Sequence, residues 1–154
     1  MAHRIHRRSW TVLVAVDGSR GSKAALRFAA GLARQRTTAM SLLTVATSTS
    51  ARSAELTRAR GVLRDASDLL ARDGVPSESR VVWIRPEDSI PEAICRASDR
   101  LRADLVVVGS EGRDTLREWV VGGVALRLLY LSSRPVVVVR PPRRHAASAK
   151  SAAR

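Results

Sequence analysis

The sequence predicts a doubly wound α/β fold, an open parallel five-stranded sheet with helices on both faces. Three observations point there. Short β-branched runs alternate with segments of helical period along the chain. The runs are continuously apolar rather than alternating, the pattern of strands buried on both faces. Hydrophobic residues make up 45% of the chain but aromatics only 3%, so the core must be built from Val, Leu, Ile and Ala. At 154 residues the chain fits one domain with room for a proper core. The expected layout is a basic segment over 1–10, the domain over 11–142 and a basic, disordered tail over 143–154.

Each element has its own signature. Val12–Val16 reads as the first strand and ends in Asp17. Ala25, Phe28, Ala29 and Leu32 then mark a helix, less clearly than the later ones. Met40–Val45 is a weaker strand. Thr44–Ser53 is rich in Ser and Thr without apolar period, which predicts a mobile loop over any pocket. Leu56, Ala59, Leu63, Ala66 and Leu70 share one face of a second helix, with Arg58, Arg64, Asp65 and Asp68 elsewhere on it. Gly74 lies just past its end, followed by Pro76, as helix stops require.

Val81–Ile84 is the third strand, and Ile90, Ala93, Ile94, Ala97 and Leu101 form the apolar stripe of a third helix. Leu105–Val108 is the fourth strand. Val124, Leu128 and Leu131 mark a last helix before Pro135, and Val136–Val139 the last strand. Strict alternation implies right-handed crossovers. Ligands of such folds sit beyond the carboxyl ends of strands where strand order switches. That directs attention to the loops after the first and fourth strands.

Composition excludes several classes. One cysteine, Cys95, rules out an internal disulfide framework and a Cys-rich zinc site, and its place beside Ile94 predicts a packed thiol. No apolar run reaches 18 residues, so no membrane-spanning helix is expected. The basic start lacks the apolar stretch of a signal peptide, and a cytoplasmic protein is the economical expectation. Net charge is +13, and the two flanks (to Trp10 and from Arg140 onward) hold eight of the surplus positive charges. Such tails read as solvated; nucleic acid bound through them would be held by its backbone, in a salt-sensitive way.

Asp17-Gly18-Ser19 follows the first strand. A carboxylate there can accept from ribose hydroxyls or an exocyclic amine; equally, the triplet is a good turn, with Ser19 or Ser22 as helix N-cap. Gly109-Ser110-Glu111-Gly112 follows the fourth strand, and Gly122-Gly123 opens the last helix. Glycines let backbone N–H groups approach an anion, and a helix N-terminus adds partial positive charge. No GxxxxGK[ST] or GxGxxG pattern occurs, which argues against P-loop and dinucleotide-binding sites.

Taken with Arg134–Pro142, these segments (Val14–Ser19, Asp104–Gly112, Gly122–Val124) make the sequence resemble the universal stress protein family from Thr11 to about Pro142. The resemblance implies a Rossmann-like fold of the adenine nucleotide α-hydrolase type. It also implies binding of ATP, or of AMP or ADP, with Mg2+ accompanying a triphosphate. The family's ATP-binding branch carries Gly-x2-Gly-x9-Gly-Ser/Thr, and Gly109, Gly112 and Gly122 stand at those spacings. By the same resemblance, Asp17, beside Gly18, contacts the nucleoside and Val45 lies by the adenine. Gly109, Gly112 and Gly122 cradle the phosphates with Gly123 and Val124 nearby, and Val136–Val139 pairs two chains into a homodimer.

The chain departs from the pattern at Gly123, where the branch has Ser or Thr. The N–H stays and a hydroxyl goes, a loss of about 1 kcal/mol by the net worth of one hydrogen bond, or tenfold or less in affinity. Glu111, Asp114 and Glu118 are like charges for a triphosphate, with Arg113, Arg117 and Arg127 as offsets. Arg85–Pro91 replaces a shorter Gly-containing turn, and Arg85 either shades the pocket or lies in solvent. No nucleophile–base pair or carboxylate dyad stands out, so the expectation is a binding protein with at most weak ATP hydrolysis. The leading expectation is a nucleotide-responsive stress-response dimer. The alternative is a nucleotide-independent interaction module with a degenerate pocket.

Overall fold

The computed structural model describes residues 9–35, 37–47, 50–111 and 122–142. Gly112, Arg113, Asp114, Arg117, Glu118 and most of both basic flanks lie outside them. The elements run β1 (Trp10–Ala15), α1 (Arg20–Gln35), β2 (Thr38–Ala46), α2 (Arg52–Arg72), β3 (Ser77–Trp83), α3 (Ile90–Arg100), β4 (Leu105–Gly109), α4 (Gly123–Leu131) and β5 (Val136–Val139). All five strands are parallel, in the order β3-β2-β1-β4-β5. The order switches direction between β1 and β4, as the doubly wound reading requires.

Successive residues of the central strands bury opposite faces of the sheet. Val12, Val14 and Val16 pack with Ala25, Leu26 and Ala29 of α1 and Leu63, Ala66 and Leu70 of α2. Leu13, Val106 and Val108 pack with Ile94 and Ala97 of α3 and Ala125 and Leu128 of α4. Two helices therefore cover each face, and the continuous apolarity of β1 and β4 has its cause in that double burial. Cys95 packs against the second layer, and burial pushes its thiol pKa up.

Four expectations need correction. Phe28 is exposed, because α1 presses on the sheet through Ala25, Leu26, Ala29 and Ala30; small side chains let its backbone come close. Val124 and Leu131 are also exposed, and α4 buries Ala125 and Leu128 instead. β2 runs to nine residues and includes Thr44, while α2 already begins at Arg52, so the Thr44–Ser53 loop is shorter than its composition implies. β3 starts upstream at Ser77, where pairing with β2 carries polar residues into the strand at the sheet edge. The end of α2 follows the predicted chemistry. Gly74 adopts φ +71°, donating to the Ala71 carbonyl while Val75 donates to Leu70, a Schellman closure.

Candidate functional site

A cleft of about 650 Å3 opens at the carboxyl ends of β1, β2 and β4. Asp17, Val45, Gly109, Gly122, Gly123 and Val124 line it together, although they come from four separate stretches of sequence. Gly18 does not line it, and Gly112 lies outside the described residues. A second hollow of about 580 Å3 lies between α2 and the edge strand β3, where the Arg52 guanidinium rests 4.5 Å from the Trp83 ring centre. It shares no lining residue with the cleft.

The β1 turn is built by its own side chains. Gly18 takes φ +85°, a left-handed conformation that favours glycine. The turn lets the Ser19 N–H donate to Asp17 Oδ1 at 2.9 Å, fixing the carboxylate. Ser19 is the N-cap of α1, accepting from the Ser22 N–H at 3.1 Å, and its hydroxyl also donates to the Glu111 carbonyl at 3.1 Å. The turns after β1 and β4 are thereby tied. They touch more closely still at Gly21 and Gly109, where backbone meets backbone. The sequence reading assigned Gly109 to a phosphate and passed over Gly21; the structure adds packing as a reason for both glycines.

On the far wall stands the N-terminus of α4. The Gly122 N–H donates to the Ser110 carbonyl at 2.6 Å, returning the chain to the end of β4. Gly122 is the N-cap and supplies no side-chain cap. The N–H groups of Gly123, Val124 and Ala125 therefore have no partner within the helix, and all three residues line the cleft. This is an arrangement that receives anions. Gly123 is exposed, with no atom within 4 Å of where a Cβ would stand.

Charges in the cleft are mixed: Asp17 and Glu111 against Arg58 and Arg127. Arg127 does face the cleft, whereas Arg85 is exposed and does not line it. Arg58 is the residue the sequence reading missed. Its Nε and Nη2 donate to Glu55 at 3.0 and 2.8 Å, and Glu55 Oε1 accepts the Thr47 N–H at 3.1 Å. The bond to Glu55 raises the Arg58 pKa further, helped by the field of Asp17. The available signal was a Glu–Arg pair three residues apart near the start of α2.

Ile90 and Pro91, from the segment that departs from the family pattern, line the floor at the start of α3. Their position is set by Glu92, which accepts from both the N–H and the hydroxyl of Ser89 at 2.6 Å. Those two bonds hold the Glu92 carboxyl below its ordinary pKa. An Arg96–Asp88 ion pair braces the same turn.

Residues 10–140 match the Universal stress protein family. The chain is 29% identical over 148 residues to universal stress protein YxiE of Bacillus subtilis (strain 168), covering 84% of this chain and 97% of that protein. A universal stress protein family structure from Burkholderia pseudomallei superposes with a TM-score of 0.69 at 28% identity, covering 86% of this chain and 96% of that one. The Archaeoglobus fulgidus universal stress protein has the same fold, with a TM-score of 0.71 at 22% identity over 84% and 93% of the two chains. The chain belongs to the universal stress protein family.

Proposed function

We propose that this chain is an adenine-nucleotide-binding universal stress protein that acts as a regulatory homodimer. The observation that carries the reading is the cleft itself, with a fixed carboxylate, Asp17, on one side and the uncapped N-terminus of α4 on the other. The first suits a nucleoside's donors and the second its phosphates. Structures of similar fold, each under 25% identical, have been solved with cAMP, with dAMP and with AMP. ATP is the ligand that the resemblance to the family's ATP-binding branch implies. Mg2+ would accompany a bound triphosphate.

Two features support a dimer. β5 is a half-buried all-valine strand at the sheet edge, whereas the opposite edge, β3, carries Glu78 and Arg80. An apolar edge left bare invites pairing with another chain. Beside it, α4 exposes Leu126, Leu129, Tyr130 and Leu131, a patch of the kind that marks contact surfaces.

The test is direct. Denaturing the purified protein and chromatographing what it releases should yield an adenine nucleotide, or the empty protein should give heat on titration with ATP, ADP or AMP. No released nucleotide together with no heat up to millimolar ligand would overturn the reading.

A further inference from the structure

The edge strand β3 turns half of its backbone groups away from the sheet. The Ile84 N–H donates to the Ala46 carbonyl at 3.0 Å, and alternate residues of a strand turn their backbone groups to the same side. Glu78, Arg80 and Val82 therefore serve the ladder with β2, while Ser79, Val81 and Trp83 direct their N–H and C=O groups outward. Among the described residues no strand lies beyond β3. Such an edge is a template for another extended chain. The side chains of the same three residues line the hollow against α2.

The hollow has the length and the charge to receive such a chain. Its α2 wall runs from Leu56 to Asp68, about 18 Å at 1.5 Å per residue, which matches roughly five or six extended residues. Leu56, Val81 and Trp83 give it apolar surface, and Asp68 is the single carboxylate among its lining residues. Arg60 and Arg64, one turn apart on α2, also line it. Both are exposed, and among the described residues neither forms an ion pair. Like charges at this spacing are unfavourable, and a carboxylate placed between them relieves the repulsion. Arg52, 4.5 Å from the Trp83 ring centre, adds a third guanidinium at the Trp83 end. Glu78 and Arg80 neutralise each other at 2.9 Å and belong to the opposite face of the strand. A second copy of this chain would bring the same unpaired arginines to the seam, so the charge favours an acidic partner.

We propose that β3 and the hollow beside it form a docking site for an extended acidic segment of another protein, which joins the sheet as a sixth strand and sets its carboxylates on Arg60 and Arg64. Main-chain bonds to Ser79 and Val81 supply sequence-independent affinity, and the two arginines supply the preference for acid. The site is separate from the nucleotide cleft and does not depend on it.

The experiment is fluorescence anisotropy with the labelled peptide Thr-Glu-Val-Glu-Val-Glu-Thr and its analogue with Gln at every Glu. Each is titrated with the full-length wild type, with the double variant Arg60→Gln/Arg64→Gln, and with Ser79→Pro. The wild type should prefer the Glu peptide by about 10-fold, the worth of two exposed ion pairs. The double arginine variant should bring that preference close to one and leave the Gln peptide within about twofold of its wild-type affinity. Ser79→Pro removes one outward donor without costing a bond to β2, and should weaken both peptides by about 5- to 10-fold. Thermal melting establishes that the variants fold. Should Ser79→Pro unfold, two Glu peptides N-methylated at one or the other set of alternate residues replace it, and only one of them should lose affinity. No binding at millimolar Glu peptide, equal affinity for the two peptides, or a preference that survives in the double variant overturns the proposal. So does a Ser79→Pro variant, or a pair of N-methylated peptides, that binds like its unmodified counterpart. If Ser79→Pro instead changes the sedimentation of the protein and not its peptide binding, the edge joins copies of this chain and the acidic partner is rejected.

Discussion

A Cβ on Gly109 would stand 2.6 Å from the Gly21 carbonyl oxygen and 2.7 Å from its Cα. Backbone cannot retreat as a flexible side chain can, so the end of β4 and the start of α1 meet only because both residues are glycine. Gly109→Ala should lower stability by roughly 1–3 kcal/mol, the usual range for overpacking. Gly21→Ala, pressed against Glu111, should behave alike. Urea denaturation of the two variants checks this; wild-type midpoints would show that the contact yields freely.

Gly123 is the opposite case, with open space where a side chain would go. Gly123→Ser should fold normally and tighten adenine-nucleotide binding by up to about 10-fold, or ~1 kcal/mol, by restoring one hydroxyl. Gly123→Ala, which fills the space without a hydroxyl, should leave affinity near wild type. Calorimetry distinguishes them. Equal affinities for the serine and alanine variants would mean that no phosphate comes within reach of that side chain.

Glu92 ties the β3–α3 turn to stability at acid pH. Its carboxyl is held below the ordinary value by the Ser89 hydroxyl and N–H. A carboxyl lowered in the folded state stabilises fully above its unfolded pKa, and the contribution fades as pH falls through the folded value. Glu92→Gln should therefore be less stable than wild type at neutral pH, and the difference should shrink as pH falls below the ordinary Glu pKa of about 4.3. Parallel melting curves across this window would remove the effect.

Leu129 and Tyr130 are 53% and 83% exposed, so the monomer loses little core when they change. Replacing both by Glu should convert the proposed dimer to a monomer in sedimentation experiments, while melting of the monomer shifts by no more than about 0.5 kcal/mol per site. A dimer that persists would place the interface elsewhere.

Much of this molecule was legible in its sequence because the signals were local. Double burial writes itself into the runs Val12–Val16 and Leu105–Val108, and Gly74 marked the end of α2 by a backbone conformation that its neighbours demand. The wall residues Asp17, Val45, Gly109, Gly122, Gly123 and Val124 were reachable by position and resemblance, since strand ends at a switch point gather in one place.

What sequence alone determined is the alternation of elements and the chemistry available at their ends, because periodicity and turn preference act over a few residues. Tertiary structure decided which surfaces meet. It left Phe28 outside, since α1 meets the sheet through Ala25, Leu26, Ala29 and Ala30. It brought Arg58 to the cleft beside Asp17, 41 positions earlier in the chain. It pressed Gly109 against the backbone of Gly21, and Gly21 against the backbone of Glu111. Contacts across such distances depend on how helices seat on the sheet, which no local pattern encodes.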